Sequence, residues 1–207
     1  MPARDLKSYL VSIEKLARVA EPAGFARAQL TGRLIELSAQ GAGATTTAAM
    51  KLVRGAQEEG EPVAWIALPR GSFYPPDVAD SGIDLDALVI VRAGDGTVAA
   101  RAAEKLLRSG AFGLIVIDLG ADADVPMAHQ GRLVTLAQQH DAAVVFLTEK
   151  SAEASSLGSL ISLRLEAMRV REASRFACAV RALKDKRRGP GWTHEEKLRG
   201  PAGMESS

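Results

Sequence analysis

The chain has 207 residues, of which 47% are apolar and 4% aromatic, so it can bury one aliphatic core of ordinary domain size. No apolar run approaches the roughly 20 residues of a membrane span, and the N-terminus lacks the apolar stretch of a signal peptide, so we expect a cytoplasmic protein with no membrane partner. The single cysteine and three scattered histidines predict no disulfide and no metal site.

Charge is distributed unevenly, although the formal net charge is only +1. Residues 164–199 hold 11 Lys/Arg and 5 Asp/Glu, so this part carries a net charge of +6 and the remainder carries −5. A basic end on an acidic body is typical of proteins that bind an anionic partner, such as nucleic acid or an acidic protein surface. A solvated basic tail is the alternative.

The N-terminal segment is predicted to be an amphipathic helix over residues 5–20. Its apolar residues include Leu6, Leu10 and Ile13, which recur at helical spacing. A break follows, so we assign residues 1–28 to a separate N-terminal helix and linker. The apolar stripe of this helix can pack on the chain's own core or on a neighbouring subunit.

The central part of the chain alternates between apolar strands and helices. The predicted strands are residues 32–37, 62–68, 86–93, 112–120 and 142–149. The predicted helices are residues 45–60, 96–110 and 127–141. Continuous apolar strands that alternate with helices predict an α/β fold, with a mostly parallel central sheet that helices cover on both faces.

The pattern changes after Glu149. Residues 159–172 and 175–186 alternate apolar with polar residues across a short link, which predicts antiparallel strands at the C-terminal edge of the sheet, with one face in water. The residues beyond them have the composition of turns and disorder. We therefore expect a core of residues 29–184 and a basic, disordered tail of residues 185–207.

The stretch LSAQGAGATTTAAM, residues 37–50, stands between a predicted strand and a predicted helix, where a phosphate-binding loop belongs. The strong motif is G-x-x-x-x-G-K-[ST], whose lysine reaches the β- and γ-phosphates. With Thr46 aligned on the hydroxyl position, Ala39 and Ala44 replace the two glycines and Thr45 replaces the lysine. The sequence therefore predicts a vestigial nucleotide loop.

Three neighbouring features complete this loop. Gly41 and Gly43 still allow an open turn that binds phosphate weakly through backbone N–H groups. The nearest lysine, Lys51, is six residues past Thr45, about 600° around the helix, and so leaves the helix from another face. Asp118 ends an apolar strand, where a magnesium-binding carboxylate belongs. An aspartate that only caps a turn is the alternative.

In the order and spacing of these elements, residues 30–170 resemble the ATPase core of the RecA recombinase family. Residues 161–172 resemble the late RecA strand that carries alternating arginines. The resemblance implies a RecA-like core.

Two further segments refine the resemblance. The N-terminal run LVSIEKLARV resembles the RecA polymerisation helix, so the apolar residues of that helix named above are candidates for a contact with a RecA-type subunit. Residues 73–95 and the short length resemble the ImuA group, which are RecA-like accessory proteins of mutagenic translesion synthesis. This resemblance implies two protein partners, the RecA recombinase and an ImuB-like polymerase subunit.

The sequence departs from the family at the positions that hold catalytic residues in RecA. Pro69 stands at the position of the catalytic glutamate, and Glu149 at that of a glutamine that senses the γ-phosphate. The connections after Asp118 and Glu149, which match the two DNA-binding loops of RecA, are short and nearly free of basic residues. We therefore expect a protein that is not an enzyme and needs no cofactor, acting as an adaptor in the DNA-damage (SOS) response.

The basic end of the chain supplies a candidate site for the polymerase subunit or for DNA. Its residues are Lys184, Lys186, Arg187, Arg188 and Trp192. Basic side chains beside an aromatic ring suit phosphate contacts with base stacking, or docking to an acidic protein. Two alternatives to the adaptor stay open, a divergent DNA-dependent ATPase and an SOS-induced cell-division inhibitor.

Overall fold

Eight strands and four helices form the part of the chain that the computed structural model describes. The described residues are 25–41, 44–69, 73, 82–121, 124–172 and 175–198. The predicted N-terminal helix, with Leu6, Leu10 and Ile13, lies outside them.

The strands and helices follow the predicted order closely. The strands are β1 (Arg33–Ala39), β2 (Val63–Ala67), β3 (Leu88–Arg92), β4 (Leu114–Gly120), β5 (Ala143–Glu149), β6 (Leu163–Glu172), β7 (Arg175–Asp185) and β8 (Thr193–Leu198). The helices are α1 (Arg27–Leu30), α2 (Thr45–Glu58), α3 (Gly96–Arg108) and α4 (Met127–Gln139).

All eight strands belong to one sheet, in the order β3-β2-β4-β5-β1-β6-β7-β8. The six strands from β3 to β6 run parallel, and β6, β7 and β8 pair antiparallel. Every residue of β1, β2 and most of β4 and β5 is buried, because helices cover both faces of a parallel sheet. The predicted α/β fold with a mostly parallel sheet and antiparallel C-terminal strands is confirmed.

The helices divide the core into two layers. Helices α1 and α2 cover one face, where Trp65 stacks at 4.5 Å on Phe73, and α3 and α4 cover the other, where Phe146 is fully buried. Successive residues of a strand point to opposite faces, so Trp65 belongs to the first layer and its neighbour Ile66 to the second.

The carboxyl ends of the parallel strands meet at one edge of the sheet, and α3 begins there. Asp95 caps this helix by accepting a hydrogen bond from the backbone N–H of Val98 at 2.8 Å. Next to the cap, a Cβ added to Gly96 would lie 1.9 Å from the carbonyl oxygen of Asp124. Only glycine lets these two backbone segments approach so closely.

The C-terminal part of the fold corrects the prediction. The predicted disordered tail from residue 185 is wrong for residues 193–198, which form β8 against β7. The antiparallel strands also lack a clean wet face, because Ala177 and Ala179 are buried as well as Cys178 and Val180. At the other end, buried Phe25 belongs to the core, although the prediction assigned it to the linker.

Candidate functional site: a vestigial nucleotide loop

The vestigial loop connects the end of β1 to the start of α2 at the carboxyl edge of the sheet. Gly41 has φ +65°, a left-handed conformation that favours glycine, and Gly43 lies outside the described residues. Ala44 caps α2 without a side-chain hydrogen bond, and Thr45 and Thr46 are its first two residues. The structure therefore has a strand, a turn and a helix N-terminus, in the arrangement of a phosphate site.

Asp118 lies on the same edge of the sheet as the loop. It is buried on β4 and pairs in register with Leu147 of β5. Strand β5 separates β4 from β1, so two strand spacings, about 10 Å, lie between Asp118 and the strand that feeds the loop. This is close enough for both to face one bound nucleotide.

Lys51 contacts the C-terminal strand and not the loop. Its Nζ lies 3.0 Å from Nε2 of His194 on β8. This agrees with the prediction that Lys51 leaves the helix from another face. The two side chains line a small apolar cavity together with Phe25, Ala48 and Cys178.

Cys178, on β7, contacts the residue that caps the N-terminus of α2. Its thiol is buried, and Sγ lies 3.9 Å from the carbonyl oxygen of Ala44, within reach of a weak hydrogen bond. The N-terminus of α2 therefore packs against β7.

The two other positions that the resemblance matches to catalytic residues hold Glu149 and Pro69. Glu149 ends β5 as an exposed carboxylate. Pro69 lines a cavity of about 340 Å³ between the ends of β2 and β4 and the start of α3, together with Asp95, Thr97 and Asp124. The described residues that line this cavity include two carboxylates and no Lys or Arg, so its charge disfavours an anion.

A buried glutamate beside the loop was not predicted. Glu36 lies in the middle of β1, fully buried, and accepts hydrogen bonds from Thr148 Oγ1 at 3.1 Å, Ser156 Oγ at 3.0 Å and the backbone N–H of Leu157 at 2.8 Å. Lys150 Nζ lies 3.2 Å from Glu36 Oε1. Glu36 therefore ties the β5–β6 connection to the central strand.

Arg164 completes this latch from β6. Its Nε lies 3.8 Å from Glu36 Oε2, and its guanidinium donates to the backbone carbonyls of Ser151, at 2.7 Å, and Ala154. Two buried charged side chains thus fix the connection that the sequence predicts to match a DNA-binding loop of RecA. We name Glu36, Lys150 and Arg164 the Glu36 latch.

The basic residues of the predicted tail lie at the opposite edge of the sheet, around the turn between β7 and β8. Trp192 is half-buried, and its Nε1 donates to Asp185 Oδ2 at 3.0 Å. Arg188 lies over the indole ring, 5.1 Å from its centroid, and Lys186 Nζ donates to the carbonyl of Ser159 at 2.7 Å. The aromatic ring is therefore an anchor of the turn and not a free stacking platform.

Asp185 holds this turn through a buried ion pair. Its Oδ1 accepts from Arg33 at 2.7 Å and from the backbone N–H of Arg187 at 2.9 Å. Burial by itself raises the pKa of Asp185, but hydrogen bonds from Arg187, Arg33 and Trp192 outweigh it, so the pKa is lowered. On the neighbouring Lys184, burial is the main cause of a lowered pKa.

Within the described residues, no three His, Cys, Asp or Glu side chains are grouped so that they can hold a metal ion. No helix in the same ranges has both the length and the apolar character needed to cross a membrane.

The sequence of this chain is similar to a known protein family. Residues 22–144 match the model of the RecA N-terminal domain family. The RecA protein of Nocardioides sp. is 40% identical over 98 residues, covering 47% of this chain and 27% of that protein. The RecA protein of Ruminococcus albus is 31% identical over 116 residues, covering 52% of this chain and 29% of that protein. The matched part thus spans under a third of either relative.

The fold is also similar to a solved structure. The crystal structure of the RadB recombinase superposes with a TM-score of 0.62 at 15% identity, over 82% of this chain and 89% of that chain. This likeness concerns the fold alone.

Proposed function

We propose, from the premise that this chain belongs to the RecA N-terminal domain family, that it is a non-catalytic adaptor of the ImuA type. It acts in the cytoplasm during the DNA-damage (SOS) response. It links the RecA recombinase to an ImuB-like polymerase subunit in mutagenic translesion synthesis. It needs no nucleotide turnover for this role.

The placement of Lys51 carries the proposal. The first residue of α2 is Thr45, where a phosphate loop has its lysine, and the nearest lysine along the helix contacts His194 on β8. A lysine on the β- and γ-phosphates stabilises the charge that develops in phosphoryl transfer. Removing one such preorganised group costs about 3 kcal/mol of transition-state stabilisation, which is roughly a hundredfold in rate.

The surrounding charges support the same conclusion. Glu149 is exposed at the end of β5, and the cavity beside Pro69 is lined by Asp95 and Asp124. Carboxylates at these positions repel the phosphates of a nucleotide. Several such losses are not additive, but together they leave hydrolysis negligible.

The Glu36 latch supports an adaptor that does not bind DNA in the manner of RecA. The latch fixes the β5–β6 connection against the sheet, so this segment is not available to wrap a DNA strand. The basic turn lies at the opposite edge, around Arg187 and Arg188. We assign the contact with the polymerase subunit, or with DNA, to that turn.

ATP turnover tests the non-catalytic part of the proposal. Purified full chain is assayed with and without single-stranded DNA, beside an Asp118→Ala variant. We expect background rates from both. Turnover that Asp118→Ala abolishes would instead establish a divergent DNA-dependent ATPase.

Co-precipitation from DNA-damaged cells tests the adaptor part. We expect the chain to retain RecA and an ImuB-like subunit, and the variant Arg187→Glu/Arg188→Glu to lose the polymerase subunit while keeping its fold by circular dichroism. Loss of neither partner contradicts the role of the turn. Recovery of a cell-division protein without RecA or polymerase would favour a division inhibitor.

A further inference from the structure

Helix α3 presents a row of cations to solvent. Arg101, Lys105 and Arg108 are exposed and recur at spacings of four and three residues, so they lie on one face of the helix. The row is about 10 Å long, because seven residues rise by 1.5 Å each. The helix has one acidic residue, Glu104.

Glu104 offsets this row only in part: its Oε2 lies 3.7 Å from the guanidinium of Arg108, while its Oε1 faces the contact between α3 and α4. Its Oε1 lies 2.6 Å from His129 Nδ1 and accepts from Arg132 Nε at 2.9 Å. Burial raises its pKa, but the hydrogen bonds with His129 and Arg132 outweigh burial and lower it. The ionised carboxylate of Glu104 thus makes hydrogen bonds with His129 and Arg132 on α4.

Helix α4 extends the same surface. It has no acidic residue, and the side chain of Arg132 is 45% exposed. Val98, at the beginning of α3, is 44% exposed and lies three residues before Arg101, on the same face as the cation row. Arg132 lies beside this face, because its guanidinium contacts Glu104. We name Val98, Arg101, Lys105, Arg108 and Arg132 the α3–α4 surface.

We propose that the α3–α4 surface docks an acidic amphipathic segment of a protein partner. Its carboxylates lie against Arg101, Lys105 and Arg108, and its apolar side chains cover Val98. Charge complementarity of this kind steers association and selects the partner. The site is separate from the vestigial loop and from the basic turn, to which neither helix face contributes a cation.

The composition of the surface favours a protein over a nucleic acid. Arginine is enriched in protein interfaces, and three of the four cations of this surface are arginine. Single-stranded nucleic acid is typically held by exposed aromatic rings, and the residues of α3 and α4 include no Phe, Tyr or Trp. The exposed side chain of Val98 has no complement on a phosphate backbone.

Fluorescence anisotropy on the full chain tests this surface. The probe is a labelled designed helix that carries Glu at positions i, i+4 and i+7 and Leu on the adjoining face. We expect Arg101→Glu/Lys105→Glu to weaken binding by on the order of tenfold or more, and added salt to weaken wild-type binding. The matched control is Arg54→Glu on α2, which reverses another exposed arginine and is expected to leave the affinity unchanged.

A charge swap makes the test specific. A second peptide with Lys in place of each Glu should bind the double variant more tightly than it binds the wild type. Equal affinity of wild type and double variant for the acidic peptide overturns the proposal. So does tighter binding of a single-stranded oligonucleotide that the same substitutions abolish, and so does salt-sensitive self-association that they abolish, since the occupant is then nucleic acid or a second copy.

Discussion

The Nζ of Lys51 lies 3.0 Å from Nε2 of His194, so the lysine nearest to the vestigial loop bridges α2 to the last strand of the sheet. An ammonium group only donates, so the imidazole nitrogen accepts in this contact. Lys51 therefore contributes to tertiary structure on another side of the helix and does not face the loop.

Restoring the phosphate-loop motif should therefore increase nucleotide binding without producing ATP hydrolysis. We expect Ala44→Gly/Thr45→Lys to bind a fluorescent ADP analogue measurably more tightly than the wild type, because a cation then stands at the helix N-terminus. Hydrolysis should stay at background, because Pro69 and Glu149 are unchanged. Wild-type affinity equal to that of the variant would contradict the assignment of Thr45 as the vacant lysine position. The control is Lys51→Thr, which should leave nucleotide affinity unchanged.

The Glu36 latch should contribute strongly to stability. Glu36→Ala leaves Lys150 and Arg164 without their buried carboxylate and should lower the free energy of unfolding by about 3–5 kcal/mol. Urea denaturation measures this loss. The control is Glu58→Ala, which replaces an exposed side chain on α2 and should change the free energy of unfolding by under about 0.5 kcal/mol.

The same substitution should release the connection between β5 and β6. Limited trypsin digestion under native conditions should cut after Lys150 faster in Glu36→Ala than in Glu58→Ala. Unchanged cleavage in a variant that stays folded at the digestion temperature would show that other contacts hold this segment.

Acid should weaken the basic turn through Asp185. Because the folded-state pKa of Asp185 lies below its unfolded value, its contribution to stability is complete above the unfolded pKa of about 3.9 and is lost as pH falls through the folded pKa. The difference in unfolding free energy between wild type and Asp185→Asn should be about 3 kcal/mol near pH 7 and should shrink below about pH 4. A difference that is constant between pH 7 and pH 2 would rule this linkage out.

Gly96 should tolerate no side chain. Gly96→Ala places a Cβ against the carbonyl oxygen of Asp124, so the backbone at the start of α3 must shift, and we expect a loss of a few kcal/mol in thermal unfolding. Gly94→Ala, two residues away, meets nothing within 4 Å and should be nearly neutral. Similar effects at both positions would point to the flexibility of the loop and not to the close approach.

The parallel core could be predicted because its signal is local. Strands such as β2 and β5 are continuous apolar runs, and Asp95 and Gly60 mark the start and the end of helices within a few residues. Each of these signals is complete within about ten residues of chain. The order of the elements, and the family likeness that depends on it, follows from them.

The latch and the last strand had no such local signal. Glu36 is a single carboxylate in an apolar strand, and its partners Thr148 and Ser156 lie 112 and 120 residues further along the chain. The run Thr193–Leu198 is mostly polar and forms a strand only because β7 offers it a row of backbone partners. The sequence predicts Trp192 as a residue for base stacking or docking, but gives no sign of its hydrogen bond to Asp185, a buried carboxylate that composition assigns to a tail.

Strand β8 also influences whether the edge of the sheet pairs with another molecule in concentrated solution. It forms one edge of the sheet, and charged side chains on an edge strand, such as the exposed Glu195, discourage pairing with another chain. Without it, β7 would become the edge and present the apolar run Ala177–Val180 beside open backbone groups. A chain shortened to residue 192 is therefore expected to aggregate. The polar strand β8 thus protects the sheet from pairing with other chains.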